Sequence, residues 1–230
     1  MYRYIYIFFL FILIGASLFA KDNFARGKNG KMNIAIFIYD GVEILDFGGP
    51  GEVFASAVKD TDYAFNVYTV AVDTSLIISQ RFVKIVPQYT IYNCPEPDII
   101  VLPGGSTGKS SENKNVLNWL NNNESNTEII MSVCTGAIIL SRAGLLDGKQ
   151  VTTWYGRINH LREITPKATV LENTRFVDNG HIITTAGVSA GIDGALHVVS
   201  KLLGEKEAAR IAHYMEYDKW QPDQGIVVEK

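Results

Sequence analysis

Three short stretches of this chain carry groups suited to attack on an electrophilic carbon. The first is Ser132-Val133-Cys134-Thr135-Gly136, where an apolar, β-rich run passes directly into a helical pattern. A side chain on such a joint is lifted to the carboxyl edge of a sheet, and the neighbouring N–H groups point the same way. A helix start favours a thiolate by about 0.3–1 kcal/mol, so Cys134 is expected to be somewhat more acidic than a free thiol. The second stretch, from Asp40 to Glu52, supplies Asp46 just ahead of Gly48-Gly49-Pro50. The third, Leu102-Pro103-Gly104-Gly105, offers two glycines whose backbone N–H groups could approach a substrate and hold developing negative charge. A thiol, a proton carrier and paired donors are the parts of a nucleophilic addition, and Thr135 adds a hydroxyl beside the thiol. Each stretch also has a plainer reading. Cys134 could be small apolar filling, Asp46 a helix N-cap ahead of Pro50, and Gly104-Gly105 a turn.

Apolar, β-branched runs alternate with helical patterns along the chain. Strands are expected at residues 32–39, 64–72, 98–102, 128–133, 151–153, 169–171 and 181–185. Helices are expected at residues 50–59, 113–122, from the end of Cys134-Thr135 to near Gly144, and at 157–164, 189–203 and 205–215. Residues 76–86 alternate around a turn and read as a hairpin at the sheet edge. Strands apolar on both faces, separated by helices, predict an α/β domain with a mainly parallel sheet. In such sheets a site lies beyond the carboxyl ends of the strands, which selects loops 40–50, 103–109 and 134–136.

Bulk properties narrow the function classes. With 21 basic and 24 acidic residues the net charge is −3, and no basic stripe suggests nucleic acid. The apolar run at residues 5–19, after Arg3 and before Ala20-Lys21, reads as a signal peptide over residues 1–20, so an exported, periplasmic or secreted protein is expected. If uncleaved, this segment would be a membrane anchor. Residues 21–31 read as a flexible lead-in, 32–222 as one domain and 223–230 as a tail. The four histidines show no metal-ligand spacing, and no metal or organic cofactor is expected. The two cysteines, Cys94 and Cys134, fall at opposite ends of neighbouring parallel strands, so no disulfide is expected.

The stretches 46–54, 102–105 and 133–137, together with Ala143-Gly144-Leu145-Leu146-Asp147-Gly148, Thr152-Thr153 and residues 185–193, resemble the patterns of the DJ-1/PfpI superfamily. Leu45-Asp46 with Gly49-Pro50, and Cys134-Thr135-Gly136, look most like its isonitrile hydratase branch. The chain is also similar to the ligand domain of AraC-type regulators. The resemblance implies a flavodoxin-like three-layer sandwich, a homodimer and a small-molecule substrate. It makes Cys134 the nucleophile, Asp46 its acid/base partner and Thr135 an assistant, with Gly104 and Gly105 in an oxyanion-type site. Where peptidases of the family place a His after the Cys, Thr135 stands here. Where members often read Thr-Thr-His-Trp, this chain reads Thr152-Thr153-Trp154-Tyr155. Loss of both histidines weighs against peptidase and glyoxalase-like activities and leaves Asp46 as the evident proton carrier. An ionised Asp46 would raise the thiol pKa, whereas a protonated one would donate to a thiolate and lower it; the second state is expected, with one proton shared by the pair. The function implied is hydration or hydrolysis of a small electrophile. The alternatives are a non-enzymatic sensor that oxidises at Cys134 and a glyoxalase-like enzyme acting on dicarbonyls.

Overall fold

A computed structural model describes residues 30–218 and 220–229. The expected signal peptide and most of the lead-in lie outside these residues. The chain runs β1 (Met32–Phe37), α1 (Ile44–Ala55), β2 (Phe65–Ala71), β3 (Tyr89–Thr90), β4 (Ile99–Leu102), α2 (Gly108–Glu112), α3 (Lys114–Glu124), β5 (Ile129–Val133), α4 (Gly136–Arg142), α5 (Ile158–Ile164), β6 (Phe176–Asp178), β7 (Ile182–Thr185), α6 (Ala190–Leu203), α7 (Glu205–Tyr214) and β8 (Ile226–Val227). The sheet order is β8-β6-β7-β5-β4-β1-β2-β3. Every pair is parallel except β6 with β7.

The two-residue period of the strands sorts side chains between two helical layers. In β1, Ile36 meets α1 at Gly51, whereas Phe37 faces the other way and packs on Trp119 of α3 at 6.1 Å between ring centroids. In β5, Met131 and Val133 lie against Gly194 and Gly191 of α6. Helices α1, α6 and α7 pack with one another, and α2–α5 form the second group. This is the flavodoxin-like three-layer sandwich expected from the alternation of apolar strands and helices. β4 and β5 are buried along their whole length, as strands covered on both faces must be.

Several expectations need correction. Helix α1 begins at Ile44, not Pro50, so Asp46 sits in its first turn and Gly48-Gly49 are helical. The reason is packing. A side chain at Gly49 would come 2.9 Å from Ile192 of α6, and one at Gly191 would come 3.3 Å from Pro50. Those glycines let α1 and α6 approach; they do not make a turn. The 76–86 ribbon exists as Ile77–Ser79 paired with Val83–Ile85, but it forms a separate two-stranded sheet, and the main edge is β3 instead. Gln150–Val151 pairs with Thr169–Val170 away from the main sheet. The stretch read as a tail contributes β8, which pairs with Val177 and Asp178, so the domain extends past residue 222.

Two glycines separate the effects of backbone freedom and close approach. A Cβ at Gly136 would lie 1.9 Å from the Leu102 carbonyl oxygen, whereas one at helical, exposed Gly48 meets nothing within 4 Å. Gly136→Ala is therefore expected to lower unfolding free energy by about 1–3 kcal/mol. Gly48→Ala is expected to raise it by about 0.4–1 kcal/mol. Urea titration of the two variants beside wild type measures both signs.

Candidate active site

Four adjacent strands, β7, β5, β4 and β1, end together, and each delivers one part of the site. Cys134 follows β5 with φ of 56°, a left-handed conformation that is costly for a residue with a side chain. The surroundings hold it there. Its N–H donates to the Ala186 carbonyl at 3.0 Å, and its own carbonyl accepts the Thr153 hydroxyl at 2.6 Å. α4 starts two residues later because Gly136 can pass against the end of β4. The result is the strand–nucleophile–helix elbow expected from the sequence, with only 6% of Cys134 exposed.

Asp46 is wholly buried and lies opposite. Its Oδ2 accepts the Gly104 N–H at 2.8 Å. Its Oδ1 is buried and makes no hydrogen bond of normal geometry. Burial pushes its pKa up to about 7, the nearby Glu43 carboxylate pushes the same way, and the Gly104 N–H, the Cys134 thiol and the Val188 N–H pull it down. Cys134 is raised too, to about 12, first by burial and then by the Asp46 charge; N–H groups of Thr135 and Val188 oppose this. The sequence argument for a more acidic thiol is thereby overturned: the start of a seven-residue helix cannot offset loss of solvent around sulfur. Between about pH 7 and pH 12 the pair carries one proton, and that proton sits on sulfur, the reverse of the expected protonated Asp46 beside a thiolate, because burial disfavours the thiolate more than the carboxylate.

Gly104 and Gly105 are brought to the site, but their N–H groups are engaged. Gly104 holds Asp46, and Gly105 N–H donates to the Thr135 hydroxyl at 3.0 Å. A side chain at Gly104 would fall 2.6 Å from Thr135 N and 2.8 Å from Asp46 Oδ2, so this glycine is required for close approach. The donors that face sulfur are instead Thr135 and Val188. Val188, itself at φ of 52°, escaped the sequence reading because a backbone donor leaves no side-chain signature. Tyr39 was also missed, and Thr153 was singled out only as part of a motif, without a role. The Tyr39 hydroxyl donates to the Pro103 carbonyl at 3.0 Å, and the phenol is held neutral by burial and by the charges of Asp46 and Cys134. Trp154, at the position where a histidine would be common, packs its ring on Gly187, next to Val188. Cys94 and Cys134 are both free thiols. Tyr39, Gly105 and Thr135 also line a broad cleft of about 1690 Å³, to which Cys134 and Asp46 themselves contribute no lining atoms.

Residues 32–201 match the DJ-1/PfpI family model. The chain belongs to the DJ-1/PfpI family. It is 30% identical to isonitrile hydratase of Pseudomonas putida over 187 residues, covering 81% of this chain and 78% of that enzyme. It is 24% identical to the HTH-type transcriptional regulator GbdR of Pseudomonas aeruginosa, covering 68% of this chain and 42% of the regulator. Among solved structures, a THiJ/PfpI family protein from Pseudomonas syringae superposes with a TM-score of 0.75 at 30% identity, covering 84% of this chain and 78% of that one. DJ-1beta of Drosophila melanogaster gives a TM-score of 0.71 at 21% identity, covering 81% and 98%.

The lifted Asp46 pKa has a consequence for stability. Between about pH 4 and pH 7 the folded protein binds a proton that the unfolded chain releases, so stability falls as pH rises through this window and is level above it. The penalty is on the order of 4 kcal/mol for a shift of this size. Asp46→Asn cannot ionise, so its stability relative to wild type is expected to improve by up to that amount between about pH 4 and pH 8. Urea midpoints at both pH values check it. An unchanged difference would mean that Asp46 titrates normally.

Proposed function

We propose that this protein hydrates a small electrophilic substrate through Cys134, and that the substrate is an isonitrile converted to an N-substituted formamide. The observation that carries the reading is a buried carboxyl lifted to about 7 facing a buried thiol, because a base poised at neutral pH is what an inert thiol needs. The similarity to an isonitrile hydratase over most of both chains supports the choice of substrate.

The proton inventory closes. Asp46 takes the thiol proton as sulfur bonds to the terminal isonitrile carbon, and returns that proton to the same carbon. This gives a thioimidate on Cys134. Asp46, again ionised, removes a proton from water as its oxygen adds to the carbon, and passes that proton to nitrogen. The tetrahedral adduct then collapses: the hydroxyl proton goes to Asp46, the C–S bond breaks, the formamide leaves, and Asp46 returns the proton to the departing sulfur, which restores the starting state. The N–H groups of Thr135 and Val188 hold the charge on sulfur at each end of the cycle. Thr135, positioned by Gly105, assists through its hydroxyl.

The geometry bears against a redox sensor. Sensing cysteines are acidic and accessible, whereas this thiol is buried and pushed up to about 12. The apolar run near the N-terminus supports placing the chemistry outside the cytoplasm, and the family resemblance supports action as a homodimer.

Turnover of a small isonitrile, followed by formamide formation, tests the proposal. Cys134→Ala is expected to abolish it, and Asp46→Asn to lower kcat by about 10²–10⁴-fold. An Asp46→Asn variant with full activity would sink the acid/base assignment. Catalysis needs an ionised Asp46 beside a protonated thiol. In wild type kcat/KM is therefore expected to rise with pH about a midpoint near 7, the reverse of the stability trend.

A further inference from the structure

The six arginines among the described residues divide into two sets. Arg162, Arg175 and Arg210 each pair with a carboxylate, namely Glu172, Asp193 and Glu207. Arg81, Arg142 and Arg157 pair with none, and all three line the cleft that opens at Thr135 and Gly105. They arrive from separate elements: Arg81 from the turn of the 77–85 ribbon, Arg142 from the end of α4, and Arg157 from the single turn Tyr155–Arg157 before α5. Lys109 of α2 adds a fourth cation, also without an acidic partner. Three carboxylates share the lining and keep their charge: Asp40 accepts the Ile78 N–H at 3.0 Å, Glu43 accepts the Gln80 amide, and Glu112 makes no bond, so the four cations outnumber the acids by one. The fifth basic group, His160, lies 3.9 Å from Glu163. A chain with net charge −3 thus gathers the unpaired guanidinium groups of its described residues around one opening.

The ribbon that carries Arg81 is fastened at the rim. Gly41 N–H donates to the Ile78 carbonyl at 2.8 Å, and the Ser79 hydroxyl donates to the Val42 carbonyl at 2.6 Å. Gln80 and Arg81 both adopt left-handed backbone, with φ of 42° and 70°, which the tight turn requires. Arg81 is therefore set on a braced turn rather than on a free loop. The three guanidinium groups keep their N–H forks unengaged although carboxylates share the lining, and a planar guanidinium fits an incoming carboxylate through two parallel N–H bonds.

We infer that this cleft is a carboxylate-binding site, and that the molecule attacked by Cys134 carries a carboxylate away from its reactive carbon. The identity of the electrophile as an isonitrile rests on the function proposed above; the anion site does not.

Alkylation of Cys134 separates the two. Iodoacetate and iodoacetamide deliver the same carbon and lose the same iodide, and differ by one negative charge. Their rate ratio at Cys134, read by peptide mass so that Cys94 does not interfere, cancels the burial and acidity of the thiol. The wild-type ratio is expected to exceed that of a small free thiol several-fold and to fall toward it in 1 M KCl. It is also expected to fall by about 2–5-fold in each of R81Q, R142Q and R157Q. K206Q, an unpaired lysine on α7 outside the cleft lining, should leave it unchanged. A wild-type ratio equal to that of the free thiol, or one untouched by all three arginine variants, would overturn the anion site. Hydration of isocyanoacetate against its neutral methyl ester completes the test. A favourable alkylation ratio with neither compound hydrated would defeat the isonitrile reading and leave the anion site standing. Equal kcat/KM for the two, with a free-thiol ratio, would do the reverse.

Discussion

A carboxyl group deprived of water beside a thiol deprived of water is the constraint around which this molecule is organised. Neither group is comfortable charged, burial raises the pKa of both, and the Asp46 charge raises that of the thiol further. The fold accepts this because four strand ends converge there and their loops supply backbone N–H groups rather than side chains. Gly104 steadies Asp46, Gly105 steadies Thr135, and Thr135 and Val188 face sulfur. Backbone donors need no rotamer to be fixed, and glycine lets them come close. The glycines of α1 and α6 serve the same end at longer range by letting two helices close over the buried acid.

The chemistry explains how the site dispenses with histidine. An imidazole is useful because its pKa falls near neutrality without special treatment. Here burial brings an aspartate to the same place, with Glu43 at the rim adding to the lift. Trp154 occupies the ground a histidine would have held and gives apolar bulk against Gly187.

Much of this was legible in the residues, and the exceptions share a cause. The elbow was legible because a β-branched run, a cysteine and a helix-forming run adjoin with nothing between them. The sheet class was legible from strands apolar on both faces. Asp46 was found as a residue, but its setting was misread. Gly48-Gly49-Pro50 looks like a turn locally, whereas the close approach of Ile192 and Gly191, over a hundred residues away, makes it a helix-packing surface. The acidity of Cys134 was misjudged because a helix start is visible in sequence and burial is not. Val188 and the engaged state of the glycine N–H groups had no signal, since main-chain donors read alike at every position. The short strand β8 was missed because two residues carry no period.

Cys134 holds a left-handed backbone conformation that glycine would adopt without strain, and Asp46 holds a charge site that a neutral side chain would fill at lower cost. Under drift governed by folding alone, both positions would slide toward inert replacements, since most proteins keep only the stability that their function requires. Two independent liabilities thus meet in one pocket, and a chain drifting under folding alone would grow sturdier as it lost them.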